Sequence, residues 1–353
     1  MIDLTKPVKL DRAGAWRTYT GGSMIDKLHG IDNSEDTHFP EEWIMSTVRA
    51  RNSGREHIVE GLSMVSGTEL SLAELIEQYP DEMLGAGNRI KAKDAKQGAG
   101  NPLGVLVKII DSAERLTVQV HPTREKAKEL FQSAYGKTEC WHILGGREIN
   151  GEKPCIYFGF KEGITREYWQ QVFEDQNIPE MLNCLHRFEV KPGDTFLIEG
   201  GIPHAIGAGC FLIEVQEPTD YTIRTEKTTP AGLQVADFMC HQGLGFERMF
   251  DCFTYEGYTP QEVLDRWCIK RKDRQIIGYD DTEMFRLEMV ELQEKEIFTS
   301  GHTFSGIFIL EGCGKVNDKQ VKAGDQFFIP AACKEFTVEG NLKFIRFYGP
   351  KED

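Results

Sequence analysis

Leu116-Thr117-Val118-Gln119-Val120-His121-Pro122, followed by Gly136-Lys137-Thr138-Glu139-Cys140-Trp141-His142-Ile143-Leu144, is the stretch on which the reading of this chain turns. Successive side chains on a β-strand point to opposite faces. Over Leu116–His121 this puts Thr117, Gln119 and His121 on one face, with Leu116, Val118 and Val120 on the other. Over Thr138–Leu144, Glu139, Trp141 and Ile143 share a face. His142 points the opposite way, which argues against it as a ligand. A second histidine arrives in Pro203-His204-Ala205-Ile206-Gly207. Two imidazoles, a carboxylate and an amide oxygen make a ligand set for a borderline divalent cation such as zinc. His121, Glu139 and His204 are the expected ligands. Gln119 is the fourth and weaker one, because an amide oxygen binds zinc less well than an imidazole.

Outward from this centre the chain reads as strands broken by turns and a few helices. Val105–Ile110 is an apolar strand interrupted by Lys108, a charge that needs a reason in such a place. Trp43–Val48 reads as a strand. Ser71-Leu72-Ala73-Glu74 has the form of a capping box and opens a short helix that Pro80 should stop. Residues 85–104 read as a loop, 123–134 as helix-like, and two further helical segments are expected at about 165–175 and 179–185. Phe188–Gln216 returns to strands, with a turn at Pro192-Gly193-Asp194. Strand-rich sequence with Gly/Asp turns and few βαβ signals predicts a mainly β fold, an antiparallel sandwich or jelly roll.

The pattern recurs. Gly193-Asp194-Thr195-Phe196-Leu197-Ile198 matches Gly324-Asp325-Gln326-Phe327-Phe328-Ile329, and Glu139–Leu144 can be laid on Ser305–Leu310. In that alignment Ser305 replaces Glu139 and Glu335 replaces His204. Two barrel-like units follow, only the first keeping the ligands. The expected division is 1–240, with the metal site and helical insertions, and 241–353, without ligands.

Composition narrows the function classes. With 353 residues, 40% of them apolar, the chain can bury a large core. No run approaches a membrane span, and Met1–Lys6 lacks the basic-then-apolar pattern of a signal peptide. Nine scattered cysteines without a CxxC pair suit free thiols in a reducing cytoplasm. A formal net charge of −15 argues against nucleic-acid or anionic-membrane binding. It leaves room for an anionic small molecule, which needs only a local cluster of cations. A monomer or homodimer is expected.

The motifs resemble those of the class I mannose-6-phosphate isomerases, which are cupins. In that family a Gln-x-His-Pro strand, a Lys-Thr-Glu segment and a His-Ala-Ile-Gly segment supply the metal ligands. This sequence has Gln119-Val120-His121-Pro122, Gly136-Lys137-Thr138-Glu139 and His204-Ala205-Ile206-Gly207, in that order. Leu106–Asp111 also resembles the family's preceding strand. The likeness is best over residues 84–224 and suits the compact bacterial type. It implies a double cupin of two jelly-roll barrels with a few inserted helices, one zinc ion per chain, and a sugar phosphate substrate. The implied enzyme is an intramolecular oxidoreductase that interconverts mannose 6-phosphate and fructose 6-phosphate.

The family's catalytic arginine is matched by Arg224, in Thr219-Asp220-Tyr221-Thr222-Ile223-Arg224. The following Thr225-Glu226-Lys227 departs from the usual bacterial aromatic-acidic segment, which bears on sugar choice more than on reaction type. Arg224 and Lys108 are the expected catalytic cations, stabilising charge on the sugar oxygens. Lys137 and Glu214 are the expected substrate contacts, and Glu214 is also a candidate general base. Three alternatives stay open here: isomerisation of a different sugar, a non-catalytic sugar-binding cupin, and an iron oxygenase, since two histidines and a carboxylate also make an iron triad.

Overall fold

Two six-stranded sheets face each other across the ligand segments, and an eight-stranded sheet forms a second unit beside them. The computed structural model describes residues 2–55, 57–85 and 102–352. The loop expected at 85–104 therefore lies, for 86–101, outside the described residues.

The first sheet runs in the order Gly14–Ala15, Glu41–Ile44, Leu106–Asp111, Cys210–Gln216, Glu139–Gly146, Thr195–Ile198. The second runs Ile223–Arg224, Gln119–Val120, His204–Ile206, Cys155–Lys161, Gly257–Tyr258, with Leu185–Glu189 also on Cys155–Lys161. Between them pack Ile110, Trp141, Ile143, Ile156, Phe158, Phe196, Ile198 and Leu212. Trp141 and Ile143 enter this interior, while Cys140 joins the core on the sheet's other side. The predicted alternation of this strand is thus observed. On the outer face of the second sheet, Val118, Val120, Ala205 and Ile223 are covered by Trp169, Val172, Phe173 and Phe250. These come from the inserted helices and the turn after them.

The helices follow their local signals. Ser71 and Glu74 form a full capping box on Leu72–Gln78. Pro80 does end that helix, and it also opens the next one, Pro80–Leu84, where its missing N–H costs nothing. Thr123 caps Arg124–Phe131, Thr165 caps Arg166–Glu174 and Asn177 caps Ile178–Asn183.

Two expectations need correction. The strand expected at Trp43–Val48 is Glu41–Ile44. It ends because Met45 adopts φ 51° and donates its N–H to Gln326 Oε1 at 3.0 Å, which turns the chain out of the sheet. Within Leu116–His121 only Gln119–Val120 is paired as strand. From Thr117 on the face assignments hold, with Val118 and Val120 in the outer core and Thr117 and Gln119 on a cavity wall, but Leu116, before the paired strand begins, turns inward to the cavity and the inner core.

The internal repeat is present in the strand registers. Glu139 lies opposite Ile198 and Trp141 opposite Phe196, while Ser305 lies opposite Ile329 and Ile307 opposite Phe327. On the other side, Trp141 faces Glu214 and Glu214 faces Lys108; Ile307 faces Arg346 and Arg346 faces Glu288. The second unit packs its own core of Val290, Phe298, Ile307, Phe327, Phe336 and Phe344. Glu335 is exposed at the start of its strand and is not part of the metal-capable cluster found among the described residues. We keep the division at 240/241 as a proposal, noting two exchanges across it. Val8–Leu10 pairs with the second unit's Gln326–Phe328, and Tyr258, Val263 and Trp267 pack in the first unit's interior.

Candidate metal centre and active site

The site is assembled from two rows of side chains that cross the facing sheets. In the first sheet, Trp43, Lys108, Glu214 and Trp141 are successive cross-strand neighbours. In the second, Arg224, Gln119 and His204 are successive neighbours. Directly paired residues on one sheet face stand within side-chain contact. Pairing alone therefore brings these groups together, and Glu139 joins them as the neighbour of Gln216.

His121, Glu139 and His204 converge, all three buried. His121 Nδ1 donates to the Tyr221 carbonyl at 2.8 Å and His204 Nδ1 to the Ile202 carbonyl at 2.8 Å. A carbonyl can only accept, so both Nδ1 atoms carry the proton and both Nε2 lone pairs point inward. The two Nε2 atoms are 3.2 Å apart. His121 Nε2 is 3.3 Å from Glu139 Oε2, and His204 Nε2 is 3.4 Å from Glu139 Oε1. Burial holds both imidazoles neutral, pushing His121 down to about 4 and lowering His204 as well. Burial alone would raise Glu139, but Lys137 and the two histidines beside it keep its carboxyl well below the usual range.

Apart from the Lys137 ammonium and the Gln119 amide, no donor lies among these three converging acceptors, an arrangement that suits a bound cation. Glu139 Oε1 has no hydrogen-bond donor among the described residues. A tetrahedral ion with bonds of ~2.1 Å sets its ligand atoms roughly 3.4 Å apart, which is the spacing found. The donor set of two neutral imidazoles and a carboxylate suits zinc and leaves a position open. The Gln119 amide also reaches His204 Nε2 at 3.3 Å, and turning it end for end presents its oxygen. Lys137 Nζ lies 2.9 Å from both His121 Nε2 and Glu139 Oε2.

Above the triad opens a cavity of about 340 Å³, within the range of small-molecule sites. The triad meets it through Gln119 and Lys137. Six cations line it (Arg17, Arg51, Lys108, Arg115, Lys137 and Arg224) against three carboxylates, Glu41, Glu214 and Asp220. A chain of net charge −15 has thus gathered positive charge in one cleft.

Each of the remaining residues singled out from sequence has a definite place. Lys108 Nζ donates to Glu214 Oε1 at 2.8 Å and Gln216 Oε1 at 2.6 Å, and lies 5.4 Å from the Trp43 ring centre. Burial disfavours its charge, but Glu214 and Glu41 outweigh this and raise its pKa. The charge in the apolar strand is therefore explained by its partners. Glu214 also accepts from Trp141 Nε1 at 3.1 Å. Arg224 donates to the carbonyls of Met239 at 2.9 Å and Thr222 at 3.3 Å, and burial lowers its pKa. His142 is bonded to Thr195 Oγ1, away from the triad.

The structure also explains the departure after Arg224. Thr225 and the buried Glu226 are structural: Glu226 accepts from Val118 N at 2.6 Å and holds both arms of Arg115. Thr225 N donates to the Val118 carbonyl at 3.0 Å. Together they lock the Gln119 strand in place. Sequence reasoning missed the contribution of the N-terminal segment, namely Arg17, Tyr19, Glu41, Arg51 and Asn52, and it missed Asp220. Asp220 sits four residues before Arg224 and was the one with a local signal.

A family model for the mannose-6-phosphate isomerase cupin domain matches residues 275–349. The mannose-6-phosphate isomerase of Streptococcus mutans is 35% identical over 332 residues, covering 92% of this chain and 93% of the relative. The crystal structure of the mannose 6-phosphate isomerase from Bacillus subtilis superposes with a TM-score of 0.68 at 20% identity, covering 97% of this chain and 99% of the other. A crystal structure of mannose 6-phosphate isomerase bound with zinc and yttrium superposes with a TM-score of 0.69 at 16% identity, covering 98% of this chain and all (100%) of the other. With the ligand triad set between two sheets of this architecture, and a relative of that identity along nearly its whole length, the chain belongs to the mannose-6-phosphate isomerase family.

Proposed function

We propose that this chain interconverts mannose 6-phosphate and fructose 6-phosphate, with one zinc ion held by His121, Glu139 and His204 and by the oxygen of Gln119. The observation that carries the reading is the convergence of His121 Nε2, His204 Nε2 and Glu139 beneath a cavity rich in cations. Zinc, when bound, supplies Lewis-acid polarisation of the sugar oxygens.

The residues divide the remaining work. A proton moves between C1 and C2 through an enediol, and negative charge develops on the sugar oxygens. Arg224, whose bonds are to carbonyls and whose guanidinium stays charged, stabilises that oxyanion. Lys108 adds a second positive charge from the cavity wall. Its partners Glu214 and Gln216 hold it in place. Lys137 bridges the triad and the cavity and contacts the sugar from below. Glu214, engaged by Lys108 and Trp141, orients these groups. Glu41 is likewise engaged, by Arg17, Tyr19 and Trp43. Asp220 is the one cavity carboxylate with no hydrogen bond or ion pair among the described residues, and we assign it the base.

The test is fructose 6-phosphate formation from mannose 6-phosphate by purified protein, after chelator treatment and after zinc is added back. Turnover lost to chelator and restored by zinc is expected. A folded, zinc-loaded protein without turnover would sink the assignment of substrate.

A further inference from the structure

We propose that Arg51, with the side chains of Asn52 and Ser53, forms the subsite for the substrate's phosphate; the inference rests on the isomerase reading and deepens it. The argument starts from what each cavity cation already holds. Arg17 is paired with Glu41 at 2.8 Å and Arg115 with Glu226 at 2.6 Å. Lys108 is paired with Glu214, and Lys137 with Glu139. Arg224 is held by two carbonyls next to the Gln119 strand. Arg51 lines the cavity, is exposed, and has no hydrogen bond or ion pair among the described residues. It is thus the cavity cation free to receive a dianion.

Its neighbours complete a set of donors. Asn52 Oδ1 accepts from Arg17 at 3.4 Å, which turns the amide so that its NH₂ remains available. Ser53 also lines the cavity, and its hydroxyl is without a partner among the described residues. A guanidinium, an amide and a hydroxyl on three consecutive residues make a phosphate-binding combination without a carboxylate among them.

The position is also right. Glu139 lies on a strand three places from Glu41–Ile44 in the sheet order, a displacement of about 14 Å at the usual strand spacing. Arg17, bonded to both Glu41 and Asn52, carries the Arg51 segment to that far side. A hexose 6-phosphate has its reacting C1 and C2 at one end and its phosphate at the other. With C1 and C2 between the triad and Arg224, the phosphate is directed to the side on which Arg51 stands.

The test is Arg51→Gln and Asn52→Ala in the full chain, with Arg248→Ala as a control outside the cavity. For Arg51→Gln, KM for mannose 6-phosphate should rise roughly tenfold or more, the size expected for a lost charge-assisted contact, with kcat within about twofold. Inhibition by inorganic phosphate should weaken in parallel. Asn52→Ala should do the same to a smaller degree, and Arg248→Ala should change neither. Unchanged KM and unchanged phosphate inhibition in Arg51→Gln would overturn the subsite. Calorimetric titration with inorganic phosphate separates this failure from that of the isomerase reading. Phosphate binding that weakens in Arg51→Gln, in a protein without turnover, would uphold the subsite and reject the substrate. A wild-type protein that binds no phosphate would reject the subsite itself.

Discussion

Glu214 and Arg346 occupy the same register position in the two units and carry opposite charge. Each stands opposite the third residue of its unit's long interior strand, Trp141 or Ile307. Each also faces a partner of opposite sign across the next strand, Lys108 or Glu288. In the first unit this pair stands on the cavity wall beside the His121, Glu139 and His204 cluster. In the second, Arg346 Nε donates to the Oγ of Ser305, the residue in Glu139's place, and the guanidinium lies 5.3 Å from the Phe336 ring centre. The second unit thus places an arginine where the first has Glu214, beside the residue in Glu139's place.

Arg346 should therefore matter to stability and little to catalysis. Its side chain is buried, and Glu288 and Tyr348 are arranged around it. Arg346 donates to the Thr299 carbonyl at 2.7 Å and to Ser305 Oγ at 3.2 Å, and leaving such buried acceptors unsatisfied costs about 1–3 kcal/mol each. Arg346→Met should lower the urea midpoint by a corresponding amount, with kcat per folded molecule unchanged. A variant as stable as the parent would show that these hydrogen bonds carry no net weight.

Removing a ligand should abolish metal binding and turnover together. His204→Ala and His121→Ala should each contain far less than one zinc per chain by elemental analysis. Each should also lose the rise in Tm that saturating zinc gives the parent, since a ligand that binds only the folded state stabilises it. Full zinc occupancy in either variant would exclude that histidine from the site.

Arg224→Ala should leave zinc content intact and reduce kcat by about 100-fold or more, the scale for removing one preorganised charge. Arg224→Lys should restore only part, because one guanidinium nitrogen already serves the Thr222 and Met239 carbonyls and the other N–H groups left to face the cavity have no counterpart on an ammonium. Loss of zinc in Arg224→Ala would point instead to a structural role.

Lys108 has both a structural partner and a proposed catalytic part, and the two can be separated. Lys108→Met leaves Glu214 buried beside only Trp141 Nε1, so stability should fall by about 3 kcal/mol or more. Adding Glu214→Gln should recover much of that loss. Activity should stay low in the stable double variant. Activity that returns with stability would mean that Lys108 acts only through the fold.

Glu41 should make stability depend on acid pH. Burial pushes its carboxyl up, but Arg17, with help from Lys108, pulls it down to about 2 from the ordinary 4.5. The unfolded chain binds the proton first, so the contribution is full above about 4.5 and is lost as pH falls towards 2. Its size is about 3 kcal/mol at 1.36 kcal/mol per unit. Urea melts across that range should show the loss in the parent and a shallower dependence in Glu41→Gln.

Much of the site was legible because strand alternation is a local rule. Residues two apart share a face whatever the rest of the chain does. Thr117, Gln119 and His121 could therefore be grouped, and His142 set aside, before any tertiary contact was considered. The repeat at 193–198 and 324–329 was legible for the same reason, and its registers match in the two units. Helix ends at Ser71, Thr123 and Thr165 likewise follow from side chains that cap their own backbone.

What lay beyond reach depended on partners distant in the chain. The turn at Met45 needs Gln326, 281 residues away, to accept its N–H. The charge of Lys108 is explained by Glu214, 106 residues on, and the bond of Arg17 to Asn52 can be seen only once both segments meet at the cavity. The sequence by itself determined which residues could be ligands, on which faces they lie, and that the strand pattern occurs twice. Tertiary structure alone decided which cations are already neutralised and which are free, because a charge's partner is set by the order of strands in a sheet, and sequence spacing does not encode that order.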